Sequence, residues 1–412
     1  MEIVVIGGGA SGMAAALEAA RYGGQVTLLE KENRVGKKLL ATGNGRCNYA
    51  NRFVEPSRFH GQCREIIHEV LQAVPVDEVL TFFQLLGITP KEESDGKIIP
   101  YSEQGSNVLD LLRYELEQTG VKTLVDWKVT SLRHHQKDWL IHSEKGESLT
   151  AHRVILATGG RAGSQFGADD SGYRLAESLG HHITPLWPAL VQLRLEADWL
   201  KALKGVKWQG AASVVEQGIV LRREAGELLI TDYGISGPPI LQLSRQAHTS
   251  ASDDNSSQKE LWIHLLPEWE SETIMDELMN RFHVNPDKPA DLCLLGLFHK
   301  RLVPILLKAA GIWPPHLPAQ QVSAAAIKKL AGFCRSWSVP ITGTLSWQQA
   351  QMTAGGVDTR EIHPVTMAST KASNCYITGE LMDVDGDCGG FNLYWAWATG
   401  LLAGRNAVLS KE

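Results

Sequence analysis

Three glycine-bearing segments carry residue types and spacings suited to holding a phosphorylated, ring-bearing ligand. The first is Gly7-Gly8-Gly9-Ala10-Ser11-Gly12, where Gly7-x-Gly9-x-x-Gly12 follows an apolar run and opens an alanine-rich one. At that spacing the first glycine permits a tight turn, the second lets the backbone approach a pyrophosphate, and the third allows close helix–strand packing. Free N–H groups at the helix N-terminus attract the anion. Glu30, closing the next apolar run, is placed to accept hydrogen bonds from ribose hydroxyls. Together these residues predict a bound dinucleotide.

The second segment is Gly36-Lys37-Lys38-Leu39-Leu40-Ala41-Thr42-Gly43-Asn44-Gly45-Arg46-Cys47-Asn48. Its glycines bring backbone N–H groups close, Lys37 or Lys38 and Arg46 supply positive charge, and Asn44 and Asn48 offer amides, as in a phosphate and ring cradle. Arg46 would lower the pKa of a neighbouring thiol, yet Cys47 has neither a partner cysteine nor a histidine motif. A packed cysteine beside the ring is the better reading.

The third segment, Thr378-Gly379-Glu380 through Gly389-Gly390-Phe391-Asn392, stands near the far end of the chain. Glu380 is placed to hold a polyol such as ribityl. The following glycines lead into a helix over Leu393 to Ala403, whose N-terminus favours developing negative charge by ~0.3–1 kcal/mol. Reduced flavin carries such charge at its N1–C2=O edge. An NAD site is normally complete within its own nucleotide domain, so two half-sites at opposite ends of the chain select FAD.

Other constellations carry less. Asp383, Asp385 and Asp387 lack the ligand pattern and closing Glu of a calcium loop, and no metal is expected. His134-His135 and His181-His182 lack a third ligand and read as solvated; His60-x-x-Cys63 is equally unsupported. Gly234-Ile235-Ser236-Gly237-Pro238-Pro239 reads as a shaped turn, not a nucleophile elbow. No catalytic residue is assigned.

The elements that must position these residues follow from periodicity. Residues 3–6 read as a strand buried on both faces, Met13 to Tyr22 as a helix ended by Gly23-Gly24, and 26–29 as the next strand, a βαβ unit. Arg153 to Ala157 reads as another buried strand running into Thr158-Gly159-Gly160. From about residue 189 alternating short strands are expected, including 213–221, 227–231 and 260–266, with a Ser/Asp/Asn-rich loop from His248 to Lys259. From 271 the period becomes helical. Met275, Leu278, Met279 and Phe282 share one face, and Ile327, Leu330 and Cys334 another. The expected class is therefore α/β. A FAD-binding Rossmann-like domain (1–188 and 357–412) is split by an inserted β-barrel-like domain (189–267 and 338–356) and a helical lobe (268–337).

The 412 residues are 43% hydrophobic and 21% charged, an ordinary globular composition. A net charge of −6 gives no electrostatic reason for an obligatory nucleic-acid partner. The six cysteines show neither dithiol nor zinc spacing, and no apolar run approaches ~18 residues. A cytoplasmic location without membrane attachment is the simplest expectation; the sequence assigns no oligomeric state.

The chain resembles the BaiN/YhiN-type flavoproteins, also described as aminoacetone-oxidase-like. The resemblance runs nearly end to end through Thr42-Gly43-Asn44-Gly45-Arg46-Cys47-Asn48, Ala157-Thr158-Gly159-Gly160, Gly234-Ile235-Ser236-Gly237-Pro238, Thr353-Ala354-Gly355-Gly356-Val357 and 379–392. It implies an FAD domain of glutathione-reductase type, with the barrel and helical lobe covering the flavin. Expected cofactor contacts are Gly7, Gly9, Ala10, Ser11, Gly12, Glu30 and Lys31 around the ADP portion, with Val129 offering backbone contacts to adenine. Lys38, Thr42, Gly43, Gly45, Arg46, Cys47, Asn48, Thr158, Gly159, Gly379, Glu380, Gly390, Phe391 and Asn392 complete the set. Phe391 stands where tyrosine is expected and Ala50 where threonine is usual. The resemblance also implies several reactions: reduction of C=C bonds in oxidised bile-acid intermediates, oxidation of aminoacetone, and reduction of a uridine in ribosomal RNA. The expected activity is hydride transfer between flavin and a small unsaturated or amine substrate, with NAD(P)H as a transient reductant because no second GxGxxG is present. The alternatives are a ribosomal-RNA uridine reductase, which the acidic balance disfavours, and a non-catalytic FAD-binding sensor or assembly factor.

Overall fold

A computed structural model describes residues 1–248 and 258–410. The chain divides into two compact units, Met1–Pro188 with Gln351–Glu412, and Ala189–Ala350.

The first unit is built on a five-stranded parallel sheet in the order Cys375–Ile377, Arg153–Leu156, Glu2–Ile6, Gln25–Leu29, Lys122–Leu124. The opening strand Glu2–Ile6 sits centrally, and its β-branched run is buried on both faces, as a parallel sheet covered by helices requires. The opening helix Ala10–Arg21 carries alanines at Ala14, Ala15, Ala16 and Ala19, all buried. Their small side chains let the closing helix, Phe391–Leu409, lie against it at backbone distance. A Cβ on Gly400 or Gly404 would overlap the Ser11 or Ala15 carbonyl oxygen. Arg153 is buried and fixes the far end of the closing helix, donating to the carbonyls of Asn406 (3.3 Å), Ala407 (3.1 Å) and Ser410 (2.6 Å). An antiparallel meander, Val129–His135, Asp138–Ser143 and Ser148–Ala151, precedes the strand Arg153–Leu156.

In the second unit six strands hydrogen-bond in a closed ring. Their order is Leu193–Leu195, Gly234–Ser236, Ile219–Ile230, Lys207–Glu216, Lys259–His264 and Trp337–Thr344. Helices Ser271–His283, Ala290–Leu294, Val303–Ala310 and Ala324–Arg335 share one apolar core with those strands, through Leu278, Phe282, Ile327, Leu330 and Cys334.

Several local expectations need correction. The single strand expected over 213–221 is broken by a hairpin turn at Gln217-Gly218, both at positive φ. One strand then runs continuously from Ile219 to Ile230. The segment 234–239 is a short strand, Gly234–Ser236, leading directly into the helix Pro238–Ala247, where proline at the first turn is tolerated. The closing helix begins at Phe391 and runs to Leu409, well beyond Ala403. The centre of the loop expected at His248 to Lys259 lies outside the described residues. Among the described residues, no helix is long and apolar enough to cross a membrane.

Candidate cofactor site

Of the three glycines of the Gly7-x-Gly9-x-x-Gly12 spacing, two are dictated by the protein itself and one is not. A Cβ on Gly12 would overlap the Gly7 carbonyl oxygen, and one on Gly7, whose φ is +108°, would overlap that of Ala157. Gly9 caps the opening helix with φ −81° and ψ −169°, an extended conformation open to any residue, and a Cβ there would meet nothing within 4 Å. Neither strain nor crowding within the chain calls for glycine at this position. A ligand approaching the helix N-terminus would call for it. Glu30 ties this turn to the second strand: Oε2 accepts from the Gly8 N–H and Oε1 from that of Glu32, both at 2.8 Å. Burial raises its pKa against the lowering effect of those two N–H groups. Each oxygen retains a second lone pair for a hydroxyl.

Beyond Glu30 lies a polar cleft of about 500 Å³ lined by Lys31, Glu32, Lys128, Ser164, Gly167 and Asp169, among others. Lys31 pairs with Asp169 at 2.7 Å. The Trp127 N–H donates to the Glu30 carbonyl at 2.9 Å, which brings Val129, buried at the start of the meander, to the same end of the sheet. Lys31 and Lys128, the chain neighbours of Glu30 and Val129, line this cleft.

The second segment folds as a kinked turn with Thr42 extended and Gly43 and Asn44 left-handed. Lys38 Nζ reaches Glu380 Oε2 at 2.6 Å across 342 residues of sequence. Glu380 Oε1 accepts from the Thr353 N–H at 2.9 Å, and Thr353 Oγ1 accepts from the N–H groups of Arg161 (2.8 Å) and Ala162 (3.0 Å). Gly160 is required beneath this junction, since its Cβ would lie 2.5 Å from Thr353 Oγ1 and 2.6 Å from Glu380 Oε1. Four distant segments thus meet at one carboxylate. Gly379 lies against Ser11, and its N–H donates to Thr399 Oγ1 of the closing helix at 3.0 Å.

Other expected residues face different partners. Arg46 pairs with Glu93 at 2.7 Å and Lys37 with Glu32 at 2.6 Å, so much of the cradle's positive charge is neutralised within the protein. Burial pushes the Cys47 thiol up to about 12, which argues against an activated thiol and for a packed cysteine. Asn392 uses its amide on the preceding turn: Oδ1 accepts from the Gly386 N–H at 2.6 Å and Nδ2 donates to the Gly386 carbonyl at 2.8 Å. Phe391 is buried edge-on against Phe59 with centroids 6.1 Å apart. Gly390 caps the closing helix.

A model of the HI0933-like protein Rossmann domain matches residues 1–406. The chain belongs to the HI0933-like family of FAD-dependent oxidoreductases. It is 40% identical over 412 residues to the 3-dehydro-bile acid delta(4,6)-reductase of Clostridium scindens, covering 98% of each chain. It is 29% identical over 413 residues to the ribosomal RNA dihydrouridine synthase of Escherichia coli, covering 100% of this chain and 99% of that one. Among solved structures, 3-ketosteroid delta1-dehydrogenase from Sterolibacterium denitrificans aligns over 99% of both chains with a TM-score of 0.52 at 11% identity, a likeness of fold.

The residues of this HI0933-like protein fit FAD on observations internal to the chain. Gly9 is open, and Asn48 Oδ1 and Thr158 Oγ1 are buried without a hydrogen-bond partner among the described residues. Such atoms are ordinarily satisfied in folded proteins and need an explanation where they are not. Three features escaped the sequence reading. Tyr173 sits buried beside Thr353 and Glu380. His60 bonds Asp387 at 2.9 Å. His181, expected to be solvated, is buried between Glu361 Oε2 (3.1 Å) and Ser369 Oγ (2.7 Å). None has a local signal, because each partner lies far away in sequence.

Proposed function

We propose that the protein reduces a carbon–carbon double bond conjugated to a carbonyl group in a small molecule, with NADH or NADPH as the electron source. The 40% identity to a bile-acid reductase over almost the whole chain carries this reading. The reaction class is shared with the more distant relative, because dihydrouridine differs from uridine by reduction of a double bond conjugated to a ring carbonyl. The activities of both relatives favour alkene reduction over amine oxidation.

When bound, FAD supplies the hydride chemistry. The chain's own residues bind and orient. The open Gly9 and the opening helix admit the pyrophosphate, Glu30 addresses the ribose, and the cleft beside Lys31 and Val129 takes adenine. Glu380, steadied by Lys38 and Thr353, addresses the ribityl chain, and the N-terminus of the closing helix favours negative charge at the ring edge. Thr42, Gly43, Gly45, Arg46, Cys47, Asn48, Thr158 and Gly159 form the surrounding wall. We read the FAD domain as glutathione-reductase type, split by the inserted barrel and helices. Without a second GxGxxG, nicotinamide binds transiently.

The test is anaerobic. The purified yellow protein is bleached with NADH or NADPH, then mixed with a 3-oxo-4,6-diene bile acid or a uridine-bearing ribosomal RNA fragment; aminoacetone, an electron donor, is added instead to the oxidised protein, where bleaching would report its oxidation. Fastest recovery of colour with the conjugated ketone is expected. Recovery only with RNA supports the uridine reductase suggested by the second relative, and recovery with neither refutes both.

A further inference from the structure

Tyr173 belongs to none of the glycine motifs, yet the structure buries it at their meeting point. It lies on the helix Ser171–Ser178 with 3% of its surface exposed. Its hydroxyl stands beside Thr353 and faces the carboxylates of Glu380, Asp170 and Asp383. Burial first, and then the Glu380 charge, holds the phenol above its ordinary range, so it remains an O–H donor. Its approach to Thr353 falls short of a hydrogen bond of ordinary geometry, and no other partner meets it among the described residues. Its neighbours are engaged elsewhere: Thr353 Oγ1 accepts from Arg161 and Ala162, and Glu380 from Lys38 and Thr353. On the same helix Gly172 abuts Thr158, whose Oγ1 is likewise buried and unpaired.

We propose that Tyr173 is a cofactor-positioning residue whose phenol O–H, in the FAD-bound protein, donates to an oxygen of the polyol–carboxylate cluster around Glu380 and so fixes how Glu380 meets the ribityl chain. The inference rests on the FAD reading above. Such an atom fits a protein shaped for a bound group, because a buried polar group is ordinarily paired.

The experiment compares wild type and Tyr173→Phe as full chains. FAD is stripped and re-titrated by quenching of its fluorescence, and thermal unfolding of each apoprotein is recorded separately. The expected result is a roughly 2- to 10-fold weaker FAD dissociation constant, the loss of one neutral hydrogen bond. The apoprotein midpoint should stay unchanged or rise, because an unpaired buried hydroxyl has been removed. Unchanged FAD affinity in Tyr173→Phe overturns the inference alone. A lowered apoprotein midpoint also overturns it, by showing that the hydroxyl has a structural partner. A wild-type chain that fails to take up FAD overturns the cofactor reading, and this inference with it.

Discussion

Gly9→Val separates a glycine kept for a ligand from glycines kept for the fold. Gly9 has φ −81° and ψ −169°, which valine adopts readily, and its Cβ direction is empty to 4 Å. Two small terms act on the apoprotein. Removing a glycine from the unfolded chain stabilises by about 0.4–1 kcal/mol, and replacing glycine with an apolar residue at a helix N-cap costs about 0.5–1 kcal/mol. They nearly cancel, so the apoprotein midpoint should move by no more than ~2–4 °C. The cofactor term is much larger. The added methyls stand where the pyrophosphate would approach, and loss of two charge-assisted N–H bonds at ~1.5–3 kcal/mol each weakens FAD by about 10²–10⁴-fold. The assay pairs FAD titration with thermal unfolding of the stripped protein. Gly12→Ala is the internal contrast. Its Cβ would overlap the Gly7 carbonyl, so it should lower apoprotein stability by about 3 kcal/mol or more. A Gly9→Val protein that purifies fully yellow, or one that cannot fold without FAD, refutes the reasoning.

Glu380→Ala should release FAD and also lower apoprotein stability by about 1–3 kcal/mol, because it strands Lys38 Nζ and the Thr353 N–H; retention of FAD with unchanged unfolding would contradict this. Arg153→Met should cost about 2–4 kcal/mol in urea unfolding, since it leaves three carbonyls at the end of the closing helix without their donor. Burial lowers the His181 pKa below its ordinary 6.5, so the unfolded chain takes up the proton first. Stability from this site is complete above about pH 6.5 and falls as the pH drops through the folded value, and His181→Gln should flatten that acid limb of the unfolding curve. Ser369, His181 and Glu361 stand in the order of a hydrolytic triad, but the Ser369 hydroxyl oxygen already accepts from the N–H groups of Lys371 and Ala372. A fluorophosphonate probe should therefore leave Ser369 unlabelled.

The opening βαβ unit was legible because its signals are local: β-branched strands, an alanine-rich helix and glycines at fixed offsets all fall between residues 2 and 30. The terminal segment was legible for the same reason. The partners of these residues were not. Glu30 reads as a ribose ligand, and its two bonds to backbone N–H groups have no side-chain signature. Lys38 and Arg46 read as one positive cradle, whereas the fold sends Lys38 to Glu380 and Arg46 to Glu93. His181 reads as solvated beside His182 because its acceptor and donor come from Glu361 and Ser369. The hairpin at Gln217-Gly218 has a weak local signal, because glutamine rarely takes positive φ and apolar residues flank the turn on both sides.

The order of strands in the parallel sheet has a consequence for synthesis. The strand Cys375–Ile377 pairs with Arg153–Leu156, and all of Ala189–Ala350 is translated between them. At about 5–20 residues per second the edge of Arg153–Leu156 waits roughly 10–45 s for its neighbour. During that interval an apolar strand edge stands open, a template for pairing with other chains. The nascent protein is therefore most exposed to aggregation after its nucleotide-binding motif has been made and before its last strand arrives. Slowing translation between residues 189 and 350 should lower soluble yield even though it alters no residue of the cofactor site.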